Sequence, residues 1–308
     1  MTSEGAIKRV GAVAVAYQPS DEQLDVLIHR LRPQLTALVI VVNAADPMRM
    51  KSRRQRHADV YWITNLTNDG LAAAQNQGIR RLQALDIDAV LLLDQDTLPG
   101  PSAITKLTGI LNRLCRQQPN VAALGAAYHR EGDAHWPGFV QLGWMGLKRV
   151  HPSAGNDWVR ADFLIASGTL IRRCVLDEVG EMDESLFIDH VDTEWCLRVQ
   201  SRGYVLYGTD RVRLTHNLGD VSRRIWLGRG RRVAVHQPWR YTMMYRNSFL
   251  LYRRGDLPLR WKWADLLRML ALAVFVGATG PNRARCLRMM VRGISDGLRG
   301  RSGPPAVV

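Results

Sequence analysis

Two acidic clusters are the residues of this 308-residue chain that could do chemistry. Asp94-Gln95-Asp96 directly follows the apolar run at 89–93, and residues 187–198 have the sequence FIDHVDTEWCLR. Residues i and i+2 of an extended segment point the same way, so Asp94 and Asp96 are predicted to converge. Two convergent carboxylates form a hard-oxygen site for Mg²⁺ or Mn²⁺, which in turn neutralises a diphosphate. The alternative interpretation is a turn with solvated acids at the end of a strand.

The second cluster predicts the start of a helix and a candidate base. Glu194 and Arg198 form an i,i+4 pair with the acid first, which favours a helix that begins near Asp192. Asp192 alone could be a helix N-cap. Three acids within six residues are more than a cap requires, and a carboxylate there could act as a general base on a hydroxyl group. His216 follows another predicted strand and is either a metal ligand or a structural histidine.

Alternating strands and helices must position these clusters. Strands are predicted over residues 10–17, 38–42, 61–63, 89–93, 121–126 and 204–207, the last with a continuation at 212–214. Helices are predicted over residues 21–31, 70–85 and 102–116. This order predicts an α/β fold: a mostly parallel, Rossmann-like sheet flanked by helices, with ligands at the carboxyl ends of the strands.

The positive charge is concentrated in the C-terminal part of the chain. The net charge is +14, and residues 221–308 hold 18 Lys and Arg against three acids, a net +15. We therefore predict two parts: a catalytic domain over residues 1–220 and a basic, Trp- and Arg-rich helical region over residues 221–308. Such an excess of positive charge indicates an anionic partner for the second part.

Two segments of the basic region have the pattern of amphipathic helices. Residues 257–276 place Trp261, Trp263 and several leucines around Arg260, Lys262 and Arg268, and residues 284–298 form a second such segment. This pattern is typical of helices that lie at a membrane interface, and it predicts docking on an anionic membrane surface. The alternative is that both helices pack on the catalytic domain and expose only their arginines. The longest apolar run, roughly 12 residues, is too short to span a bilayer.

Two other classes of protein are compatible with part of the sequence. Arginine and tryptophan could bind the phosphates and bases of a nucleic acid. However, the chain has no helix-turn-helix, zinc-finger spacing or RNP-like motif, so no nucleic-acid partner is expected. A catalytically inactive membrane scaffold is a further alternative, and the presence of both acidic clusters argues against it.

In this order along the chain, the motifs resemble the family 2, GT-A-fold glycosyltransferases, specifically the bacterial rhamnosyltransferase branch. The residues that carry the resemblance are VAYQP at 15–19, NDGLAAAQNQG at 68–78, LLDQD at 92–96, Ser167-Gly168, residues 187–198, His216, and Tyr245-Arg246-Asn247. They extend over roughly residues 10–250, about four fifths of the chain.

The resemblance implies a role for each matching residue. Tyr17 and Pro19 would form a wall for the nucleotide base, and Asn43 occupies the position that contacts the pyrimidine edge. The segment that contains Asn68, Gly70 and Asn76 would lie along the nucleotide sugar. Asp94 would bind the ribose or assist the metal, while Asp96 and His216 would bind it. Asp192 corresponds to the catalytic base, and Arg246 would face the diphosphate or the acceptor.

The resemblance also implies the reaction. It would be an inverting transfer of L-rhamnose from dTDP-β-L-rhamnose, with Mg²⁺ or Mn²⁺ on the diphosphate, to a lipid-linked saccharide in O-antigen-type surface polysaccharide synthesis. A glycolipid acceptor, as in rhamnolipid synthesis, is the alternative. Either acceptor predicts a cytoplasmic enzyme that is peripheral on the inner face of the plasma membrane.

Overall fold

A computed structural model describes residues 5–129, 136–144, 146–216, 222–227, 229–234 and 236–305, with the backbone alone at 216 and 222–234. The chain divides into two compact units. The sheet unit comprises Met1–Gln141, Leu147–Glu184 and Val191–Asn217. The helical unit comprises Leu142–Gly146, Ser185–His190 and Leu218–Val308.

The sheet unit is built on one large mixed sheet. The strands of the chain as far as residue 216 are β1 (Val10–Tyr17), β2 (Ala37–Asn43), β3 (Tyr61–Thr64), β4 (Ala89–Asp94), β5 (Thr97–Leu98), β6 (Val121–His129), β7 (Phe139–Gly143), β8 (Gly146–Val150), β9 (Val159–Ala161), β10 (Thr169–Arg172) and β11 (Val205–His216). The order across the large sheet is β3-β2-β1-β4-β10-β6-β11-β5, and β9 pairs with β11. The pairs β1–β2, β2–β3, β1–β4 and β6–β11 are parallel, whereas β10 is antiparallel to both of its neighbours.

Helices flank this sheet. They are α1 (Asp21–Leu31), α2 (Pro47–Arg56), α3 (Leu71–Gln83), α4 (Ala103–Gln117), α5 (Arg173–Val179) and α6 (Val191–Ser201). The start of α1 is determined by a capping box. The backbone N–H of Gln23 donates to the Ser20 hydroxyl, and the backbone N–H of Ser20 donates to the side-chain oxygen of Gln23. The predicted mostly parallel α/β sheet is confirmed. The antiparallel strand β10 and the helix α2 were not predicted.

The core lies where the central strands meet the helices. Every residue of β2 is buried, as expected for a strand covered on both faces. α3 approaches β1 closely because small residues lie at the contact. A Cβ at Gly78 of α3 would lie 2.3 Å from the Val13 Cγ1 atom, and a Cβ at Gly11 of β1 would lie 2.7 Å from a Leu82 methyl group.

The helical unit begins with strands rather than a helix. Its elements after residue 217 are β12 (Ser222–Leu227), β13 (Arg229–Ala234), α7 (Pro238–Tyr252), α8 (Leu259–Thr279) and α9 (Arg283–Leu298). β12 and β13 pair as an antiparallel hairpin, which corrects the prediction that this region is helical from residue 221. Gly230 disfavours a helix, and the β-branched and aromatic residues Ile225, Trp226 and Val233 favour strands.

The three helices of this unit form their own core, built from Tyr241, Met244, Tyr245, Met269, Val276, Cys286 and Met290. Two glycines bring α9 against α7, because a Cβ at Gly293 would lie 2.4 Å from the Thr242 carbonyl oxygen and one at Gly297 would lie 2.6 Å from that of Arg246. Trp261, expected on the interfacial face of α8, is buried instead. In the described part of the chain, no helix is both long and apolar enough to cross a membrane.

Replacing Gly78 with alanine tests the packing of α3 on β1. The new methyl group would clash with Val13, whereas Gly109→Ala places the same group in open space on α4. Both changes bring the same gain in helix propensity, about 1 kcal/mol. We expect Gly78→Ala to lower the free energy of unfolding by about 1–3 kcal/mol, and Gly109→Ala to leave it unchanged or raise it. Urea denaturation measures both, and coincident midpoints would contradict the close packing.

Candidate active site

The carboxyl ends of three strands lie at one edge of the large sheet. β1 and β4 are parallel neighbours, with Val15 opposite Asp94. β11 ends at His216, which lies opposite Thr97 in the antiparallel pairing of β11 with β5. Because Thr97 follows Asp96 directly, the pairing brings the backbone of His216 beside the acidic turn. The structure therefore places three of the predicted ligand positions, Asp94, Asp96 and His216, at the same edge.

The acidic segment forms a turn. β4 ends at Asp94, and the chain turns through Gln95-Asp96 before β5 begins, so the segment is not extended as predicted. The Asp94 N–H donates to the Ser167 hydroxyl at 3.0 Å, and that hydroxyl lies 2.6 Å from the Thr97 hydroxyl. On the opposite side, the Tyr17 N–H donates to the Gln95 side-chain oxygen at 2.9 Å. These hydrogen bonds fix the turn at both ends, although its residues do not pair as an extended strand.

Gly168 makes the approach of Ser167 possible. Its φ of +87° lies in the left-handed region, and a Cβ there would lie 2.4 Å from the Leu214 Cδ1 atom. Its N–H donates to the Leu92 carbonyl at 2.8 Å, and its own carbonyl accepts from the Ala126 N–H at 3.0 Å. In the sequence, Ser167-Gly168 is recognisable only as part of the family resemblance. They lie beside the end of β4 in the folded chain but far from it in the sequence. No local sequence pattern therefore indicates that they hold the acidic turn.

Tyr17 and Pro19 differ in their exposure. The Tyr17 side chain at the end of β1 is 50% exposed, so its ring is available to a ligand. Pro19 is buried, and its carbonyl accepts a hydrogen bond of 2.8 Å from the Arg53 guanidinium. The predicted contact of Tyr17 with a nucleotide base is compatible with this exposure, whereas Pro19 is bonded within the sheet unit.

The amides of the loop before α3 are bonded to one another. Asn43 is buried, donates to the Gly70 carbonyl at 3.0 Å and accepts from the Asn65 amide at 2.9 Å. The Asn68 side chain accepts from the Gly70 N–H at 3.1 Å. Gly70 itself has a φ of +90° and precedes the first residue of α3. Asn43, Asn68 and Gly70 therefore shape this loop, and their contacts with a nucleotide stay predictions.

Asn76 joins α3 to the segment after α5. Its amide donates to the Met182 carbonyl at 2.9 Å and to the Glu184 carboxylate at 2.8 Å, and its oxygen accepts from the Met182 N–H at 2.9 Å. The side chain is buried. These bonds give Asn76 a clear structural role, so its predicted role along the nucleotide sugar also stays a prediction.

Asp192 lies in the first turn of α6. Its carboxylate accepts from the Thr193 N–H at 2.8 Å, and the side chain is half-buried. The N-terminus of a helix favours the ionised form of a carboxylate. The neighbouring acid, Glu194, is buried and forms the predicted pair with Arg198, with two N···O distances of 2.9 Å. Glu194 therefore has a structural role. Asp192 is the other acid of α6, and it remains the candidate for the base.

The segment that precedes α6 has an unusual backbone. Within the helical unit, Phe187, Asp189 and His190 have φ values of 63°, 61° and 62°, a region that non-glycine residues rarely adopt. The side-chain amide of Asn247 donates to the carbonyls of Leu186, Ile188 and Asp189 at 2.8, 2.7 and 3.0 Å. One buried side chain thus satisfies three carbonyls of this segment, a role that sequence analysis did not assign.

Arg246 is buried in the helical unit, and its contact with a diphosphate or acceptor stays a prediction. The residue is 3% exposed, and its guanidinium donates to the carbonyls of Gly303 and Leu186 at 2.6 and 3.2 Å and to the Asn247 side chain at 3.0 Å. Burial lowers the pKa of this guanidinium below its ordinary value. The close contact of α9 with α7 encloses the side chain, and its predicted contact with a diphosphate has no support in these bonds.

A buried polar cluster connects the same segment to α8. The Ser248 hydroxyl lies 3.0 Å from the His190 Nε2 atom and donates to the Asp265 carboxylate at 2.8 Å. Arg268 donates to the same carboxylate at 2.9 and 2.6 Å. Burial lowers the pKa of His190 despite the nearby charge of Asp265. The imidazole is therefore neutral at pH 7, and the charge of Asp265 is balanced by Arg268.

The donor set at the sheet edge fits a divalent cation in its chemistry. Carboxylates are the ligands that Mg²⁺ and Mn²⁺ prefer, and an imidazole suits Mn²⁺ less strongly. Among residues with described side chains, no three His, Cys, Asp or Glu groups cluster closely enough to hold a metal. The His216 side chain lies outside that set, so the metal site stays a prediction.

Replacing Asn247 tests whether its hydrogen bonds stabilise the segment before α6. Asn247→Asp keeps the size of the side chain but removes the amide donor to three carbonyls. We expect the free energy of unfolding to fall by about 1–3 kcal/mol because buried carbonyls lose their partner. The control is Asn120→Ala, which removes one exposed bond to Gly203 and should cost less than about 0.5 kcal/mol. Equal urea midpoints for the two variants would contradict this role.

Comparison with known proteins identifies relatives of this chain. No protein-family model matches it. The chain is 30% identical over 293 residues to the dTDP-rhamnosyl transferase RfbF of Shigella flexneri, and the match covers 95% of this chain and 96% of that protein. It is 22% identical over 212 residues to the low-salt glycan biosynthesis hexosyltransferase Agl10 of Haloferax volcanii, covering 67% of this chain and 66% of that one.

A solved structure supports the fold. The crystal structure of GalNAc-T7 with UDP, GalNAc and Mn²⁺ superposes with a TM-score of 0.55 at 15% identity, over 69% of this chain and 44% of that one. A solved protein therefore has the same kind of sheet with flanking helices over the superposed region.

Proposed function

The chain belongs to the family 2, GT-A-fold glycosyltransferases, in their rhamnosyltransferase branch, and from that membership we propose that it transfers L-rhamnose from dTDP-β-L-rhamnose to a lipid-linked saccharide. The product would enter O-antigen-type surface polysaccharide. The observation that carries the proposal is the pairing of His216 with Thr97, which brings the end of β11 beside Asp94 and Asp96 at the carboxyl edge of the sheet. The donor follows from the name of the relative in Shigella flexneri, which matches along nearly its full length.

The proposed mechanism is a single displacement with inversion. Asp192 accepts the proton of the acceptor hydroxyl as that oxygen attacks the anomeric carbon from the face opposite the diphosphate. The bond from the anomeric carbon to the diphosphate breaks, and dTDP leaves with the electron pair. The position of Asp192 supports this role, because its side chain is only half-buried in the first turn of α6 and can therefore be reached by an acceptor hydroxyl.

The donor site would use the residues at the edge of the sheet. The exposed ring of Tyr17 is available to the nucleotide base, and the bond from its N–H to Gln95 connects it to the acidic turn. Asp94, Asp96 and His216 would hold Mg²⁺ or Mn²⁺. When bound, that cation would supply positive charge to the leaving diphosphate.

A membrane-bound acceptor agrees with the distribution of charge. The net charge of +15 over residues 221–308 would attract the anionic inner face of the plasma membrane, where lipid-linked saccharides and glycolipids are both accessible. The saccharide acceptor is favoured over a rhamnolipid-type acceptor because both curated relatives have names that refer to glycan or rhamnosyl transfer and neither name refers to a lipid.

Asp192→Asn tests the proposed base. With dTDP-rhamnose and a lipid-linked acceptor, we expect kcat to fall roughly 10²–10⁴-fold because the amide cannot accept the proton. The readout is the release of dTDP, with a panel of other nucleotide sugars run beside it. The matched control is Glu22→Gln, an exposed acid in the first turn of α1, which should retain full activity. An active Asp192→Asn variant would assign the base elsewhere, and preference for a UDP-sugar would contradict the rhamnose donor.

Removal of divalent cations tests the proposed metal. We expect chelation to abolish transfer and added Mn²⁺ or Mg²⁺ to restore it. Asp96→Asn should raise the cation concentration that gives half-maximal activity, because it removes one charged ligand. Asp59→Asn, which changes an exposed acid paired with Arg32, is the control and should not alter that concentration. Transfer that is unaffected by chelation would contradict the metal while leaving Asp192 as the base.

A further inference from the structure

One face of α8 is apolar and uncovered. The inner face buries Trp261, Met269 and Val276 in the helical unit. The outer face carries Leu259, Trp263, Leu266, Leu267, Leu270 and Val274, which are between 39% and 74% exposed. These six side chains recur at helical spacing and form a continuous apolar row, which we call the outer stripe. The sequence also allowed an alternative in which only arginines of this helix face solvent. In α8, leucines and a tryptophan face solvent as well.

The N-terminal end of the outer stripe has an aromatic neighbour. Trp144, which belongs to the helical unit, is 91% exposed. The Arg260 guanidinium lies 6.0 Å from the centre of its ring and donates to the Gly143 carbonyl at 3.2 Å. Exposed tryptophans beside a cation are typical of the interface between lipid tails and headgroups.

A shallow basic cavity, open to solvent, lies at the other end of the outer stripe. Its volume is about 560 Å³, and it is lined by Ala278 and Gly280 at the end of α8 and by Arg283, Arg285 and Arg288 of α9. Ala278 continues the helical spacing of the outer stripe, so the apolar row leads into this cavity. From Leu259 to Ala278 the helix extends about 28 Å.

The arginines of this cavity are not paired with acids in the part of the chain that the structure describes. The first turn of α9 contains no acid, and Asn282 before it makes no side-chain cap. Cations at the N-terminus of a helix are electrostatically unfavourable, so an anion bound there would relieve repulsion with the helix dipole as well as pair with the arginines.

Within residues 257–295 no acid is exposed. Asp265 is the single Asp or Glu between residues 257 and 295, and it is buried. The charged side chains that residues 257–295 expose beside the outer stripe are therefore all basic. An acidic protein or a nucleic acid would satisfy the arginines but would leave the leucines and tryptophans in water. An anionic lipid satisfies both.

We propose that the helical unit binds an anionic phospholipid of the bilayer, with a headgroup phosphate in the cavity of Arg283, Arg285 and Arg288. The outer stripe and Trp144 contact the lipid tails, and α8 lies along the membrane surface. This proposal deepens the membrane contact of the proposed function and rests on it for its biological purpose. The binding itself does not depend on the identity of the sugar donor.

Co-sedimentation of the full chain with vesicles tests the proposal. The vesicles contain phosphatidylcholine alone or a mixture with phosphatidylglycerol. We expect binding to the mixed vesicles, partly retained at high salt because of the apolar contact. Leu267→Gln/Leu270→Gln on the outer stripe should remove the part of the binding that resists salt.

The cavity is tested by Arg283→Gln/Arg285→Gln/Arg288→Gln. We expect affinity for the mixed vesicles to fall roughly tenfold or more, because each basic residue near the surface adds to the attraction.

The matched control, Arg30→Gln/Lys51→Gln/Arg116→Gln, removes the same charge from exposed positions of the sheet unit and should bind like the parent chain. Equal loss in the two variants would overturn the cavity as a site and leave only general attraction.

Two further outcomes would overturn the proposal. The first is equal binding of the parent chain to both kinds of vesicle. The second is saturable binding of inorganic phosphate to the parent chain that excess mixed vesicles do not displace, which would assign the cavity to a free phosphate. Hydrolysis of soluble dTDP-rhamnose by the same samples separates the two proposals. A chain that binds the vesicles but does not turn over this donor would refute the proposed function alone.

Discussion

The hydroxyl of Ser167 is the point on which the candidate site depends. It accepts from the Asp94 N–H and contacts the Thr97 hydroxyl, so it holds both ends of the acidic turn. Gly168 brings this serine to the sheet because only a residue without a side chain fits against Leu214. The antiparallel strand β10 then continues between β4 and β6. The loop that leads into this inserted strand therefore supplies the group that shapes the turn, and the neighbouring strand β4 leads into the acids.

The motif at 187–198 contributes to two structures. Its first four residues belong to the helical unit, where the amide of Asn247 satisfies the carbonyls of Ile188 and Asp189. Its remaining residues form most of α6 in the sheet unit, where the Glu194–Arg198 pair is buried. The acids in this motif are therefore not equivalent. Glu194 is bonded internally, whereas Asp192 lies half-buried in the first turn of the helix, which agrees with its proposed role as the base.

Most of the sheet was predictable because local patterns determine it. β1 and α1 begin and end at the predicted residues, since Pro19 and the Ser20 cap separate a β-branched run from a helical one. The acidic turn was placed at the correct strand end, but its shape depends on Ser167, 71 residues beyond Asp96, and no local pattern reveals that contact. Arg246 shows the same limit: its burial results from the approach of α9, which two glycines permit. Long-range packing decided both cases.

The bonds of Asn247 and Arg246 also have a consequence for the order in which the protein matures during translation. The carbonyl of Leu186 accepts from side chains 60 and 61 residues later in the chain, and the N–H of Gly303 donates to the Ser185 carbonyl. A ribosome releases residues 185–190 well before these partners. The nascent chain can therefore complete the acidic turn, whose members all lie at or before Ser167, while the segment ahead of α6 still lacks its hydrogen bonds. The residues of this segment with positive φ obtain these hydrogen bonds only after α7 has left the ribosomal exit tunnel.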